Sequence, residues 1–235
     1  RIMRTRSQPK KCGFRASRYA AMFLFWSAVF LFLAGTNTAF AAERIRNFNA
    51  AVFIYRDASL GVRETIAYDF GDVSRHGIFR DIPVSYKTPA GSRSIRISAI
   101  AVKDGAENPV PFETSRNDNA LRIKIGDPRA FVTGMQTYVV SYRVERALNY
   151  FDDHDELYWN VTGHDWRVPV ERSLAEIVLP AGVSSSDISY RCFMGVYLGA
   201  RSCTRALLAF DNPAGRTALA TRVYFTAEDQ NTGGL

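Results

Sequence analysis

The chain has 235 residues, enough for one large domain or two small ones, and its formal charge is +7. Seven of its 30 basic residues and none of its 23 acidic residues lie in positions 1–41, so the rest carries 23 of each and is formally neutral. A nucleic-acid partner is therefore not expected, because capture of phosphates needs a basic surface.

The first 41 residues have the order of a secretory signal peptide. Residues 4–18 are basic and contain no acid, residues 20–34 form an apolar run, and an A-x-A box ends at Ala41. The apolar run is shorter than the about 20 residues that a spanning helix needs, which favours cleavage over an uncleaved anchor helix. The pattern predicts an exported protein, periplasmic or on the extracytoplasmic face of the cytoplasmic membrane.

From residue 42 onward, apolar and polar residues alternate as in strands with one buried face. In residues 62–70, the apolar face is interrupted only by Glu64. Further strands are predicted at 45–55, 82–86, 95–103, 121–125, 135–148, 156–162, 174–179, 187–193, 203–210 and 217–226. No segment has a helical period, so we expect an all-β fold, an antiparallel β-sandwich that is immunoglobulin-like or related.

This sandwich would occupy residues 42–235 as one domain. A boundary near Pro180, with a small β subdomain from about residue 181, is the alternative. Cys12 lies in the predicted leader, which leaves Cys192 and Cys203 as a pair. In an exported chain such a pair is expected to form a disulfide, since a metal site would need further ligands close by.

The first stretch with chemical potential is residues 70–86, which contains His76, Arg80 and Asp81 around Gly77. An oriented His76–Asp81 pair could act as a general base. The favoured interpretation is structural: an Arg–Asp pair and a capped turn that fix the loop. No nucleophile motif or phosphate-binding loop accompanies these residues.

The second stretch, residues 152–166, is rich in acids and contains His154 and His164. Its acidic part is predicted to be an exposed turn, because its spacing fits neither a calcium loop nor a zinc site. No metal and no cofactor are expected. The following strand would turn Trp159 inward and Asn160, part of a formal glycosylation sequon, outward. Trp166 would cover the end of the core or form an exposed platform for sugars, and we favour the core.

The two stretches together resemble a known family. Residues 70–83, with the run HGIFRDIP, and residues 155–169, with DELYWNVTG followed by Trp166 and Pro169, are similar to the domain-of-unknown-function 2207 family, the YciQ-like predicted bacterial membrane proteins. The resemblance runs from about Ile45 to Pro180. It implies an extracytoplasmic β-rich domain in a protein with later transmembrane helices, and it implies no catalytic residues.

These observations favour a non-catalytic binding module whose partner is an envelope protein or a cell-wall component. Membrane attachment would come from the N-terminal helix or from later helices that this chain does not contain. Two alternatives stay open. One is a hydrolase of envelope polymers that uses carboxylates of 152–156 with His76 or His164. The other is a structural part of a membrane complex.

Overall fold

The computed structural model describes residues 42–88, 91–117, 119–163, 165–194, 201–211 and 220–228, so the predicted leader and its helix lie outside the described residues. The described residues are nearly all β, as predicted, with one turn of 3-10 helix at Ser185–Asp187. The strands are β1 (Arg44–Ile54), β2 (Leu60–Asp69), β3 (Ile78–Pro83), β4 (Ser85–Thr88), β5 (Gly91–Ser94), β6 (Arg96–Asp104), β7 (Phe112–Arg116), β8 (Ala120–Ile125), β9 (Met135–Glu145), β10 (Leu148–Tyr150), β11 (Asp155–Leu157), β12 (Arg172–Val178), β13 (Phe193–Met194), β14 (Arg201–Ser202), β15 (Arg205–Asp211) and β16 (Ala220–Glu228).

Seven strands form one large sheet in the order β15-β16-β12-β1-β2-β9-β6. Neighbours are antiparallel except for β1 and β12, which run parallel with Phe48 opposite Ser173 and Phe53 opposite Val178. The expectation of purely antiparallel sheets is wrong for this pair. Parallel neighbours need a crossover rather than a tight turn, and here the crossover contains most of the other strands.

A second, antiparallel sheet has three strands in the order β3-β8-β7, and its inner face shares one hydrophobic core with the large sheet. The two-residue alternation of β2, β8 and β9 creates this core, because every second side chain of these strands points inward. Its central members include Phe48, Val52, Ile66, Phe70, Ile78, Ile82, Ile123, Ile125, Val140 and Val144.

Three short hairpins complete the described part of the chain: β4–β5, β10–β11 and β13–β14. The predicted disulfide is present across the last of them, where Cys192 and Cys203 have Cα atoms 5.5 Å apart. Two strand predictions need correction. Most of 187–193 is not strand, and the strand predicted at 156–162 ends at Leu157 because the chain then turns across the core.

The two ends of the large sheet differ in which segments they carry. Arg44 at the start of β1 lies opposite Asp69, and Glu228 at the end of β16 lies opposite Arg172. β1 therefore begins and β16 ends at the same end of the sheet, which we call the proximal end. The opposite, distal end carries the turn 55–59 and the β10–β11 hairpin. No helix in the described ranges is long and apolar enough to cross a membrane.

Candidate functional site

The residues that the sequence singles out converge on a buried arginine. Arg80 is on the inward face of β3, and Glu64 is on the inward face of β2, so the two side chains meet across the core. Arg80 Nε donates to Glu64 Oε2 at 2.7 Å, and Arg80 Nη2 donates to Glu64 Oε1 at 2.7 Å. Their side chains are 1% and 0% exposed, so this is a bidentate ion pair shielded from water.

Every N–H group of the Arg80 guanidinium has an acceptor. Nη1 donates to the carbonyl oxygens of Asp81 and Thr162, both at 2.9 Å, and Nη2 donates to that of Val161 at 3.2 Å. With the two bonds to Glu64, all five donors are satisfied. This matters because a buried charge is tolerated only when it is paired and hydrogen-bonded.

Aromatic side chains complete what we call the Arg80 cluster: Arg80, Glu64, Phe48, Tyr142, Thr162 and Trp166. The guanidinium carbon is 5.2 Å from the Phe48 ring centroid and 6.0 Å from that of Trp166. Trp166 Nε1 donates to the Thr162 carbonyl at 2.8 Å, and the Tyr142 hydroxyl donates to Glu64 Oε1 at 2.6 Å. Trp166 therefore packs on the core and is not an exposed sugar platform.

The electrostatics keep Arg80 charged and Tyr142 neutral. Burial opposes the charge on Arg80, but the charge and hydrogen bonds of Glu64 outweigh it, so the pKa of Arg80 is raised. Burial, followed by the negative charge of Glu64, raises the pKa of Tyr142 well above its ordinary value. Neither group is poised to exchange a proton near neutral pH. The arrangement suits a permanent structural contact better than acid–base chemistry.

The loop after β11 is shaped to fit this arginine. Gly163 has φ +78°, in the left-handed region, and a Cβ there would lie 2.8 Å from Arg80 Nη1. Its amide donates to Asn160 Oδ1 at 3.0 Å, which closes the turn. The sequence run WNVTG is thus a turn that presents two carbonyl groups to Arg80, and Asn160 serves that turn.

His76 and Asp81 do not form the pair that a general base would need. His76 Nδ1 donates to the Ala130 carbonyl at 2.8 Å, whereas both Asp81 carboxylate oxygens accept from Arg122, at 2.7 Å each. Asp81 alternates with Arg80 along β3 and therefore points to the outer face. The expected Arg–Asp pair exists, but its arginine is Arg122.

The remaining predicted residues lie apart from the Arg80 cluster. His154 is exposed, contacts Asp153 through Nδ1 at 2.7 Å and stacks on Phe151. His164 lies outside the described residues. Trp159 packs against the core, and its buried Nε1 has no hydrogen-bond partner within the described ranges. Over those ranges, no three potential metal ligands are grouped together.

Sequence reasoning missed the roles of Glu64 and Tyr142. Glu64 carried a usable signal, because it is the one charged residue on an otherwise apolar strand face. A carboxylate in that position must find a cation across the core. Tyr142 gave no comparable signal, since a tyrosine on an inward face is ordinary and its hydroxyl partner depends on the register between β2 and β9.

Comparison with known families agrees with this geometry. Residues 44–231 match the family described as "Predicted membrane protein (DUF2207) N-terminal domain", and this span includes both sequence stretches and the whole Arg80 cluster. The chain belongs to this family. The DUF2207 domain is thus membrane-associated by its family description, which confirms the resemblance seen in the sequence.

Other comparisons add little to the DUF2207 assignment. No curated protein matches the chain. Among solved structures, the M1 zinc metallopeptidase from Deinococcus radiodurans is 12% identical over 78% of this chain and 38% of its own, with a TM-score of 0.41. Leukotriene A4 hydrolase from Saccharomyces cerevisiae is 7% identical over 81% and 30%, also with a TM-score of 0.41. The chain thus spans less than half of either protein, and likeness at this level establishes neither a shared fold nor catalysis.

Proposed function

We propose that the DUF2207 domain is an extracytoplasmic β-sandwich that acts as a non-catalytic interaction module of the bacterial cell envelope. The observation that carries the proposal is a set of exposed aromatic side chains on an acidic hairpin at the distal end of the large sheet. The leader pattern and the Cys192–Cys203 disulfide support the extracytoplasmic location, because disulfides persist in oxidising compartments.

The two sequence stretches support the fold rather than a reaction in this proposal. Arg80 contacts carbonyl groups of Val161 and Thr162, so the first stretch holds the second against the core. A hydrolase that combines the 152–156 carboxylates with His76 is not favoured, because His76 bonds to the Ala130 carbonyl at the proximal end, whereas those carboxylates lie on the hairpin at the distal end. Val161 and Thr162 are therefore held to the core, and the candidate binding surface is sought in the part of the second stretch that Arg80 does not contact.

The aromatic hairpin, residues 148–158, is that surface. Tyr150, Phe151 and Tyr158 are each more than half exposed, and the hairpin also carries Asp152, Asp153, Asp155 and Glu156, all exposed. Exposed apolar groups that cluster in one patch mark interaction sites, and aromatic residues are enriched in the centres of protein interfaces.

The charge of the hairpin favours one kind of partner. Four carboxylates beside aromatic faces attract Lys and Arg through ion pairs and cation–π contacts. We therefore assign to the hairpin a basic segment of another envelope protein. An uncharged cell-wall polysaccharide would use the aromatic rings but would gain nothing from the carboxylates.

Cross-linking in intact cells tests this function. A photo-reactive amino acid at Tyr158 of the full chain should capture one protein, whereas the same group at Tyr55, an exposed aromatic outside the hairpin, should not. Replacing the four hairpin carboxylates by Asn or Gln should reduce capture about tenfold, as loss of an electrostatic contribution of roughly 1.4 kcal/mol implies. Equal capture at both positions would refute the interaction surface, and capture of glycan alone would assign it to the cell wall.

Thiol chemistry tests the location separately. In protein taken from cells with free thiols blocked, Cys192 and Cys203 should remain unmodified until a reductant is added. Mass spectrometry of the peptides reads this directly. Two alkylated thiols before reduction would place the domain in a reducing compartment and contradict the extracytoplasmic part of the proposal.

A further inference from the structure

The path of the chain places the start of β1 and the end of β16 at one end of the domain, the proximal end of the large sheet. A membrane segment before residue 42 and a membrane segment after residue 228 would both be connected to this end. The family description, an N-terminal domain of a membrane protein, fits a connection through the second exit.

The segment between the apolar run and β1 is shorter than the domain is along that strand. In a chain that keeps its leader, the alternative to cleavage, residues 35–43 would separate the apolar run 20–34 from β1 and could span at most about 32 Å when fully extended. An eleven-residue strand such as β1 is itself about 36 Å long. A membrane segment joined to the chain at the proximal end, before β1 or after β16, would keep that end closer to the bilayer than the distal end with the aromatic hairpin.

Two loops cover the proximal end next to β1 and β2, and they brace each other. Residues 70–77 and 126–134 are joined by backbone bonds between Arg75 and Val132, at 2.8 and 3.1 Å, and by bonds that link Gly134 to Phe70 and Gly71. Gly77 and Gly126 pack so closely that a side chain on either would collide with the backbone of the other loop. The loops 70–77 and 126–134 therefore hold each other in one conformation, and we call them together the platform.

This platform exposes apolar side chains to solvent. Phe131 is 66% exposed and Met135 is 53% exposed, and the His76 ring lies 4.0 Å from the Phe131 ring, centroid to centroid. A backbone that is bonded on both sides of Phe131 cannot easily fold the ring back into the core. An aromatic ring held outward beside a polar loop is the arrangement that suits a membrane–water interface.

The charges near the loop indicate how a bilayer would be bound. Arg129 pairs with Asp127 at 3.2 Å and Arg75 pairs with Glu43 at 2.7 Å, and Asp72 adds an exposed carboxylate. The surface has no basic excess that would attract anionic lipids. Contact would depend on apolar insertion, aided by the tether.

We propose that residues 126–135 form a membrane-contact loop, with Phe131 and Met135 inserted into the interfacial region of the bilayer that anchors the protein. The inference rests on the membrane association that the family shows and is independent of the partner assigned to the aromatic hairpin. It fixes the orientation of the domain: proximal end on the lipid, hairpin away from it.

Fluorescence quenching in vesicles tests the proposal with the full chain. An environment-sensitive fluorophore is attached at Thr133→Cys, an exposed position that leaves Phe131 and Met135 intact, or at Tyr55→Cys at the distal end as a matched control. Both carry Cys12→Ser so that labelling is specific. In phosphatidylcholine vesicles containing a spin-labelled lipid, we expect the Thr133 probe to be quenched at least threefold more than the Tyr55 probe, and aqueous iodide to give the reverse order.

A second set of variants identifies the groups responsible. Phe131→Ser with Met135→Ser, in the Thr133→Cys background, should bring quenching by lipid down to the level of the Tyr55 probe while the melting temperature stays close to that of the parent. Equal quenching at the two ends with Phe131 and Met135 intact would overturn the proposal. So would contact that survives their removal or requires anionic lipid. Because none of these readouts involves the hairpin or its partner, failure here leaves the proposed function standing, and the converse also holds.

Discussion

The contact between Arg80 and Glu64 and the contact between His154 and Asp153 each join a basic side chain to a carboxylate. The first contact is buried and the second is exposed to solvent. The first pair lies between the sheets with all five guanidinium donors satisfied, whereas the second lies on an exposed hairpin. A charged side chain in the core needs an opposite charge and a full set of hydrogen bonds, and removing one partner strongly destabilises the fold. Charge on an exposed turn is screened by water and contributes little to stability.

The contrast also separates two uses of one sequence stretch. Val161, Thr162 and Trp166 serve Arg80 and hence the fold, whereas residues 150–156 and Tyr158 are exposed and are available to a partner. Substitutions should therefore divide into those that unfold the domain and those that leave it folded.

The largest effect is expected for Arg80→Met. It leaves the Glu64 carboxylate buried without its cation and frees three carbonyl groups, so the free energy of unfolding should fall by roughly 3–5 kcal/mol. Urea unfolding followed by circular dichroism measures this. Arg122→Met, which removes the exposed partner of Asp81, is the matched control and should cost less than about 1 kcal/mol. Similar losses for both arginines would mean that burial does not distinguish them.

Gly163→Ala should come next, with a loss of roughly 1–3 kcal/mol, because it adds strain at φ +78° and a contact with Arg80 Nη1. Gly134→Ala isolates the strain, since Gly134 has φ +61° but no atom within 4 Å of the added Cβ. The difference between the two melting temperatures reports the contact with Arg80. If the two variants melt together, the turn is not fitted to the arginine.

Tyr142→Phe should cost about 1.5–3 kcal/mol at neutral pH, because it removes a hydrogen bond to a buried carboxylate. It should also alter the pH dependence. Since burial raises the pKa of Tyr142 above the value of about 10 that it has in the unfolded chain, its stabilising effect is complete below pH 10 and declines as the pH rises further.

Urea unfolding at several pH values between 8 and 11 measures how the free energy of unfolding changes with pH. Above pH 10 this free energy should fall more steeply for the wild type than for Tyr142→Phe. The control is Tyr138→Phe, which removes a tyrosine whose pKa burial raises to about 12 but which does not contact Glu64. It should change the slope in the same direction, but without the loss of stability at neutral pH that comes from the hydrogen bond to Glu64. A Tyr142→Phe protein with the wild-type slope would show that Tyr142 ionises freely.

The smallest effect is expected for His154→Gln. The ring is exposed and contacts only Asp153 and Phe151 among the described residues, so the melting temperature should change by less than about 2 °C. Calorimetry on the full chain checks this. A shift of 5 °C or more would mean that the hairpin is buried against something within the protein itself.

Much of the fold follows from the sequence, because the alternation of side chains directly encodes which strand faces are buried. Glu64 lies in register with apolar neighbours, and this register alone predicts that it faces inward. For Arg80 the prediction fails, because the sequence indicates a loop before a strand at 82–86, whereas β3 begins at Ile78. The disulfide was predictable for a different reason, since a leader pattern that predicts export makes a disulfide the expected state of Cys192 and Cys203.

The failures share a cause. Each of the contacts that the sequence did not predict depends on which strands are neighbours in space. These contacts are the pairing of Arg80 with Glu64, that of Asp81 with Arg122, and that of β1 with β12. Strand order is set by long-range packing and leaves no local signature. The strand predicted at 156–162 failed similarly: its alternation is real, but carbonyl groups needed by Arg80 turn the backbone away from a ladder.

The parallel pairing of β1 with β12 has a consequence for how the domain is made. β2 follows β1 after a short turn and can pair with it early, but the other side of β1 has to wait for residues 172–178. Because the chain is synthesised from its N-terminus, β1 keeps one unpaired backbone edge after β2 has formed. More than a hundred further residues are synthesised before β12 can pair with that edge. Open edges invite pairing with other chains, and distant pairings form slowly. Until β12 is made, this edge of the nascent domain is open to pairing with other chains.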